Sequence, residues 1–188
     1  MNLIIFGPPG AGKGTQADFI VKKYNLYQLS TGEVLRNEIK NETNLGKEIS
    51  SIINSGFLVS DQIVKKLVEN FISNKKFKNR LIFDGYPRNL NQAETLHELL
   101  KEYGQKIDLV LKLSVSLEII KKRISERRSL EKREDDNEDI AVKRFKTYEK
   151  TTEPVIEYYK KLNLLKVIDG ERSIDQINKE ISDIISLI

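Results

Sequence analysis

The chain has 188 residues and a mass of 21.7 kDa, with 39% hydrophobic and 32% charged residues, which suits one packed domain and leaves no apolar run of membrane-spanning length. Lys and Arg number 32 against 28 Asp and Glu, a net charge of +4 with a pI near 9.0. Zero cysteines and a single histidine exclude disulfides, thiolate zinc sites and cysteine nucleophiles, and leave a histidine-rich metal centre or a serine–histidine triad without material. Met1-Asn2-Leu3 opens into an apolar run with no basic segment ahead of it, so a cytoplasmic protein without a signal peptide is expected.

In chain order, strand-like and helix-like segments alternate. Asn2 to Phe6 is a short apolar run that ends at a glycine-rich turn, the pattern of a buried parallel strand. Helical periodicity follows from about Thr15 to Tyr24, and a further strand is expected near Tyr27 to Leu29. Ser30 with Glu33 makes a capping-box signature for a helix toward Lys40. Leu45, Ile49, Ile52 and Ile53 share a helical face that Gly56 should end, and Ser60 should cap the amphipathic run from Ile63 to Ile72. Arg80 to Asp84 reads as a strand, and a helix from about Asn91 to Tyr103 ends at Gly104. That helix carries His97, expected at the surface or a helix boundary. Leu109 to Leu113 is a strand, and Ser116 opens a helix toward Arg128. The polar stretch from Ser129 to Asp136 has no apolar period. Beyond it lie a long helical region broken near Pro154, a strand from Leu164 to Ile168, and a last helix from Ser173. Such alternation predicts an α/β fold whose parallel sheet is covered on both faces.

The most informative stretch is Gly7-Pro8-Pro9-Gly10-Ala11-Gly12-Lys13-Gly14-Thr15, between a predicted strand and a predicted helix. Glycines let the backbone wrap so that successive N–H groups point inward as an anion nest, and the helix that starts there adds its positive end. Lys13 brings an ammonium to the β- and γ-phosphates of a nucleotide. Gly14 stands where the general pattern has Ser or Thr, so Thr15 is expected to bond phosphate rather than ligate magnesium directly.

The series GPPGAGKGTQ (7–16), LSTGEVLR (29–36), GFLV (56–59), FDGYPRN (83–89) with Gln92, and the arginines that follow resembles the adenylate kinase family over nearly the whole chain. The resemblance implies a P-loop NTPase-type five-stranded parallel sheet flanked by helices, with a core of 1–29, 60–125 and 137–188. Residues 30–59 would form the NMP-binding segment and 126–136 a short LID. It implies MgATP and AMP as substrates with ADP as product. Magnesium would be held through water with no metal ligated by the protein, and no structural zinc is expected. ATP-binding roles fall on Gly10, Ala11, Gly12, Lys13, Gly14, Thr15, Arg123, Arg127 and Arg172. AMP-binding roles fall on Thr31, Arg36, Phe57, Leu58, Val59, Gly85, Tyr86, Pro87, Arg88, Gln92, Arg133 and Arg144. The catalytic set is Lys13, Asp84, Arg88, Arg127, Arg133 and Arg144. Asp135 and Asp136 would orient arginines or close the LID. A monomer working on small nucleotides, with no nucleic-acid or membrane partner, is the family expectation.

Plainer readings stand beside these. Arg36 could pair with Glu33 on its own helix, Thr31 could be only a capping residue, and Gln92 could be a surface amide. Residues 84–88 could be a β-turn with solvated charges, and the arginines from 123 onward could belong to a solvated run, since Lys121 to Asp136 holds seven basic and five acidic residues. Composition weighs against the last: the chain has nine arginines among its 32 basic residues, and six of them fall on the family's motif positions. UMP/CMP kinase chemistry is the nearest alternative, with alanine usual where Thr31 stands. A regulatory nucleotide-binding module and a nucleic-acid binder are more distant ones.

Overall fold

Leu3 to Phe6 is apolar on both sides, and it forms the middle strand of the sheet, with every residue buried. The computed structural model describes residues 1–131 and 138–188. Strands β1 (Leu3–Phe6), β2 (Tyr27–Ser30), β3 (Leu81–Asp84), β4 (Leu109–Ser114) and β5 (Leu165–Asp169) form one parallel sheet in the order β2-β3-β1-β4-β5. Side chains alternate across a strand, so β1 feeds two cores. Leu3 and Ile5 pack with Ala17, Ile20, Ile177 and Ile181 from helices α1 (Lys13–Tyr24) and α9 (Ile174–Ile185). Ile4 and Phe6 face the other layer, built from helices α2 (Thr31–Lys40), α3 (Asn44–Asn54), α4 (Asp61–Ile72), α5 (Leu90–Glu102) and α8 (Glu153–Lys161). Helices α6 (Leu117–Glu131) and α7 (Glu138–Thr151) pack on each other through Ile120, Ile124 and Ala141.

All five strands run the same way, so all five lead-outs open on one edge, where ligands of parallel sheets bind. Asn2 secures the opposite end of β1. Its side chain donates to the Lys106 carbonyl at 2.9 Å and to Gln105 Oε1 at 3.3 Å, and accepts from the Leu81 N–H at 3.1 Å.

The predicted strands and helices are present, with local differences that have causes. Helix α1 begins at Lys13, two residues early, because Gly12 is its N-cap in the left-handed region at φ 92°, a conformation an L side chain rarely adopts. The capping box at Ser30 and Glu33 is not made: Ser30 ends β2 and its side chain makes no cap bond. Ser60 likewise makes none, while Ser173 and Gln176 do form a capping box. Backbone helix α6 continues through Glu131, past the expected stop at Arg128. A 3₁₀ turn at Lys75–Phe77, without sequence warning, leads into β3. Pro154 sits in the first turn of α8, where its missing N–H costs no helical bond. His97 is half-buried between the rings of Tyr158 and Tyr159, with centroids at 5.8 and 5.6 Å, rather than at the surface. Burial there lowers its pKa.

The α2–α3 pair crosses at Gly46, where a Cβ would lie 2.0 Å from the carbonyl oxygen of Glu38. That oxygen is backbone and cannot rotate away. Gly46→Ala is therefore expected to destabilise the protein by about 1–3 kcal/mol, read from urea denaturation, with no loss of nucleotide affinity in the fraction that stays folded.

Candidate active site

The loop from Gly7 to Gly12 leaves β1 and turns directly into α1, so the free N–H groups of the first helical turn face the open edge of the sheet. No acidic side chain occupies that turn. Gly10 and Gly12 both take positive φ, Ala11 is buried beneath the loop, and Gly14 and Thr15 are exposed at its mouth. Lys13 folds back over the loop, its Nζ donating to the carbonyls of Gly7 at 2.8 Å and Pro8 at 3.1 Å. Burial pulls its pKa down to about 8; Asp84 opposes the shift, and Arg88, Arg144 and Arg127 add to it.

Asp84 ends β3 beside β1 and is 8% exposed, with Gln28 Nε2 donating to its Oδ2 at 3.2 Å. The chain then turns through Gly85, Tyr86 and Pro87, with a cis bond before the proline. The Gly85 carbonyl accepts from Thr31 Oγ1 at 2.9 Å and from Arg88 Nε at 2.7 Å, which aims the guanidinium along the cleft. Burial brings the pKa of Arg88 down to about 10; Arg144 and Arg36 push the same way and Asp84 opposes them. At neutral pH Arg88 stays charged, and the shift reflects burial first, with the neighbouring like charges adding to it.

One cleft brings these groups together, lined by Gly7, Lys13, Thr31, Arg36, Arg88 and Arg144 at its polar end. Leu58, Val59, Pro87, Gln92 and the ring of Phe57 line it elsewhere. Phe57 is 59% exposed, with Lys143 Nζ lying 3.6 Å from its ring centroid. Gln92 is buried rather than a surface amide. Its Oε1 accepts from the Arg88 N–H at 2.7 Å and its Nε2 donates to Asp61 Oδ1 at 2.7 Å. A primary amide keeps a second lone pair and a second N–H, so Gln92 can still read a base edge. Asp61 also accepts from Asn89 and Asn91. Burial would raise its pKa, but the three amides outweigh it and hold the carboxylate below its usual range.

Other expected residues lie differently. Tyr86 turns its ring into the core, 1% exposed, and its hydroxyl donates to the Gln92 carbonyl, while its neighbours Gly85 and Pro87 line the cleft. Arg123 is spent on backbone carbonyls, donating to Ala11 at 3.3 Å and Gly170 at 2.9 Å, and so splices the loop to the turn after β5. The exposed side chain of Arg172 pairs with Asp169 and Glu180, and the role expected there is one for the backbone after Asp169-Gly170. Arg127 is near enough to Lys13 to act on its charge. Arg133, Asp135 and Asp136 lie outside the described residues. The sequence reading missed Thr147, Tyr148, Thr151 and Thr152, which also line the cleft. The first three follow Arg144 at i+3, i+4 and i+7 on α7, a face that helical periodicity could have flagged.

A glycine loop between the central strand of a parallel sheet and the helix it feeds, opening on a cleft crowded with cations, defines a P-loop nucleotide-binding protein. The adenylate kinase family model matches residues 5–164. The adenylate kinase of Pelagibacter ubique is 44% identical over 213 residues, covering 100% of both chains. That of Prochlorococcus marinus is 44% identical over 180 residues and 96% of each chain, and that of Chelativorans sp. 41% over 192 residues and 99% of each. This chain belongs to the adenylate kinase family, and its activity is that of a nucleoside monophosphate kinase.

The lowered pKa of Lys13 has a measurable consequence for binding. Phosphate oxygens favour the ammonium form and raise its pKa, so binding between the free and bound values takes up a proton. At pH about 9, ATP binding should carry an extra uptake approaching one proton, absent at pH about 7 where Lys13 is already charged. Calorimetry in buffers of differing ionisation enthalpy reads this, and Lys13→Arg, charged throughout, should abolish it.

Proposed function

We propose that this protein transfers the terminal phosphoryl group of MgATP to AMP, giving two ADP, and that the cations of the cleft are the catalytic apparatus. The observation that carries this is the convergence of Lys13 from the loop, Arg36 from α2, Arg88 from the turn after β3 and Arg144 from α7 on one cleft. Four elements far apart in sequence have no packing reason to aim like charges at each other. A bound polyanion supplies one.

In this reading the loop amides and Lys13 hold the phosphates of ATP, with Arg127 assisting. Arg36 and Arg88 hold the phosphate of AMP. Arg133 and Arg144 embrace the group in transit. The attacking oxygen belongs to a phosphate already ionised near neutral pH, so no general base is required, and rate comes from alignment and charge stabilisation. Magnesium enters as part of the nucleotide substrate, and Asp84, the buried acid at the loop, is the group that would hold its waters. Thr31, Gln92 and the backbone at 57–59 form the base and ribose side of the acceptor pocket. Residues 30–59 serve as the acceptor-binding segment and 126–136 as a short LID, and their closure over both substrates keeps water from the phosphoryl group. The protein works as a cytoplasmic monomer with neither nucleic acid nor membrane as partner. Charge interspersed along the chain, with no basic tail, supports the exclusion of nucleic acid; among the described residues, no helix is long and apolar enough to cross a membrane.

An acceptor panel of AMP, CMP, UMP and GMP with MgATP tests the assignment. Rapid diphosphate formation with AMP alone is expected, and a preference for UMP or CMP would overturn the role given to Thr31 and Gln92. Lys13→Met and Arg88→Ala should each lower kcat by at least ~10²-fold, the scale of removing one charge-stabilising donor. Wild-type rates in both would dispose of the catalytic reading.

A further inference from the structure

Thr152 stands between α7 and α8, 4% exposed, and lines the cleft beside Arg144, Thr147, Tyr148 and Thr151. By position it is the N-cap of α8, yet its side chain makes no cap bond. The reason is local. Pro154 has no N–H to offer in the first turn, and the N–H groups of Val155 and Ile156 already reach the Thr152 carbonyl at 3.0 and 3.1 Å. The hydroxyl instead donates across the fold to the carbonyl of Arg88 at 3.1 Å.

Arg88 is thereby held on both sides of its Cα. Its N–H donates to Gln92 Oε1 at 2.7 Å and its carbonyl accepts from Thr152, while its Nε is tied to the Gly85 carbonyl. The neighbouring Glu153 receives Lys112 from β4 at 2.9 Å, so two consecutive residues fasten the α7–α8 junction to the binding edge of the sheet. Helix α7, which carries Arg144, ends one residue before Thr152.

We propose that Thr152 is a positioning residue for phosphoryl transfer: its hydroxyl locks the turn bearing Arg88 to the helix bearing Arg144, fixing the spacing of two guanidinium groups that would otherwise repel each other apart. This rests on the role given to Arg88 above. The contact is a single neutral hydrogen bond, but it acts on a site where a displacement of about 1 Å is costly in rate.

The test compares Thr152→Val, which keeps the shape and loses the donor, with Thr152→Ser, which keeps the donor, each alone and on an Arg88→Ala background. Assays run well below each variant's melting midpoint, under saturating substrates. Thr152→Val should lower kcat by about 3- to 30-fold with the KM for MgATP changed less than about twofold. Thr152→Ser should stay within about twofold of wild type, and Thr152→Val should cost nothing further once Arg88 is alanine. Should Thr152→Val fold poorly, Thr152→Ala lacks the same donor and is read the same way. A merely structural role predicts a lower melting midpoint with unchanged kcat. Wild-type kcat in Thr152→Val beside a crippled Arg88→Ala would overturn the positioning role alone. Equal losses in the Val and Ser variants, or an undiminished effect on the Arg88→Ala background, would overturn it too. Wild-type kcat in Arg88→Ala would remove both this proposal and the reading beneath it.

Discussion

Like charges crowded into a half-dry cleft are the constraint around which the molecule is organised. Lys13 and Arg88 both have their pKa values pulled down by burial and by neighbouring guanidinium groups, and among the described residues Asp84 opposes both shifts. Such an arrangement is unfavourable for the protein alone, since desolvating a cation and placing another beside it both cost free energy. Something rigid has to hold the charges in place until an anion neutralises them.

The rigidity comes from backbone carbonyls at the open edge of the sheet. Gly7 and Pro8 receive Lys13, Gly85 receives Arg88, and Ala11 and Gly170 receive Arg123. Each acceptor is a neutral dipole fixed by a strand end or tight turn, so it steadies a cation without cancelling its charge. A carboxylate in the same place would form an ion pair and compete with the phosphate. Asp61 and Glu153, near the cleft, have other duties: Asp61 gathers three side-chain amides, and Glu153 takes Lys112. Adenylate kinase chemistry, which adds no general base, needs little more from a protein than this kind of electrostatic scaffold.

Much of this was legible in the sequence, and the reasons are physical. Strands such as Leu3 to Phe6 are buried on both faces, so their apolar runs stand out, and the loop motif is a backbone device that only glycine-rich sequence can build. Arginine scarcity marked the charged residues of the cleft. What failed was anything settled by a partner far along the chain. The Ser30–Glu33 pattern marks the start of α2, with Ser30 its N-cap by position, but Ser30 also ends β2 and its side chain makes no capping bond. Tyr86 sits inside a binding motif yet points to the core, and Gln92, assigned to the acceptor side with a surface amide as the plainer reading, is buried and lines the cleft. Thr152 carried no signal, because its partner lies 64 residues away.

The strand order has a consequence for how the chain is made. The central strand β1 precedes both of its sheet neighbours in the chain, and those neighbours, β3 and β4, end only at residues 84 and 114. Until both have emerged, the most apolar strand of the protein has two unpaired edges, and the nucleotide loop it carries has nothing behind it. A nascent chain is thus obliged to keep its future nucleotide site unformed until β4 has been made. The edge strand β5, whose last residue is Asp169, joins β4 later still. The pairings that align the cations are thus long-range ones, the kind of contact that slows folding.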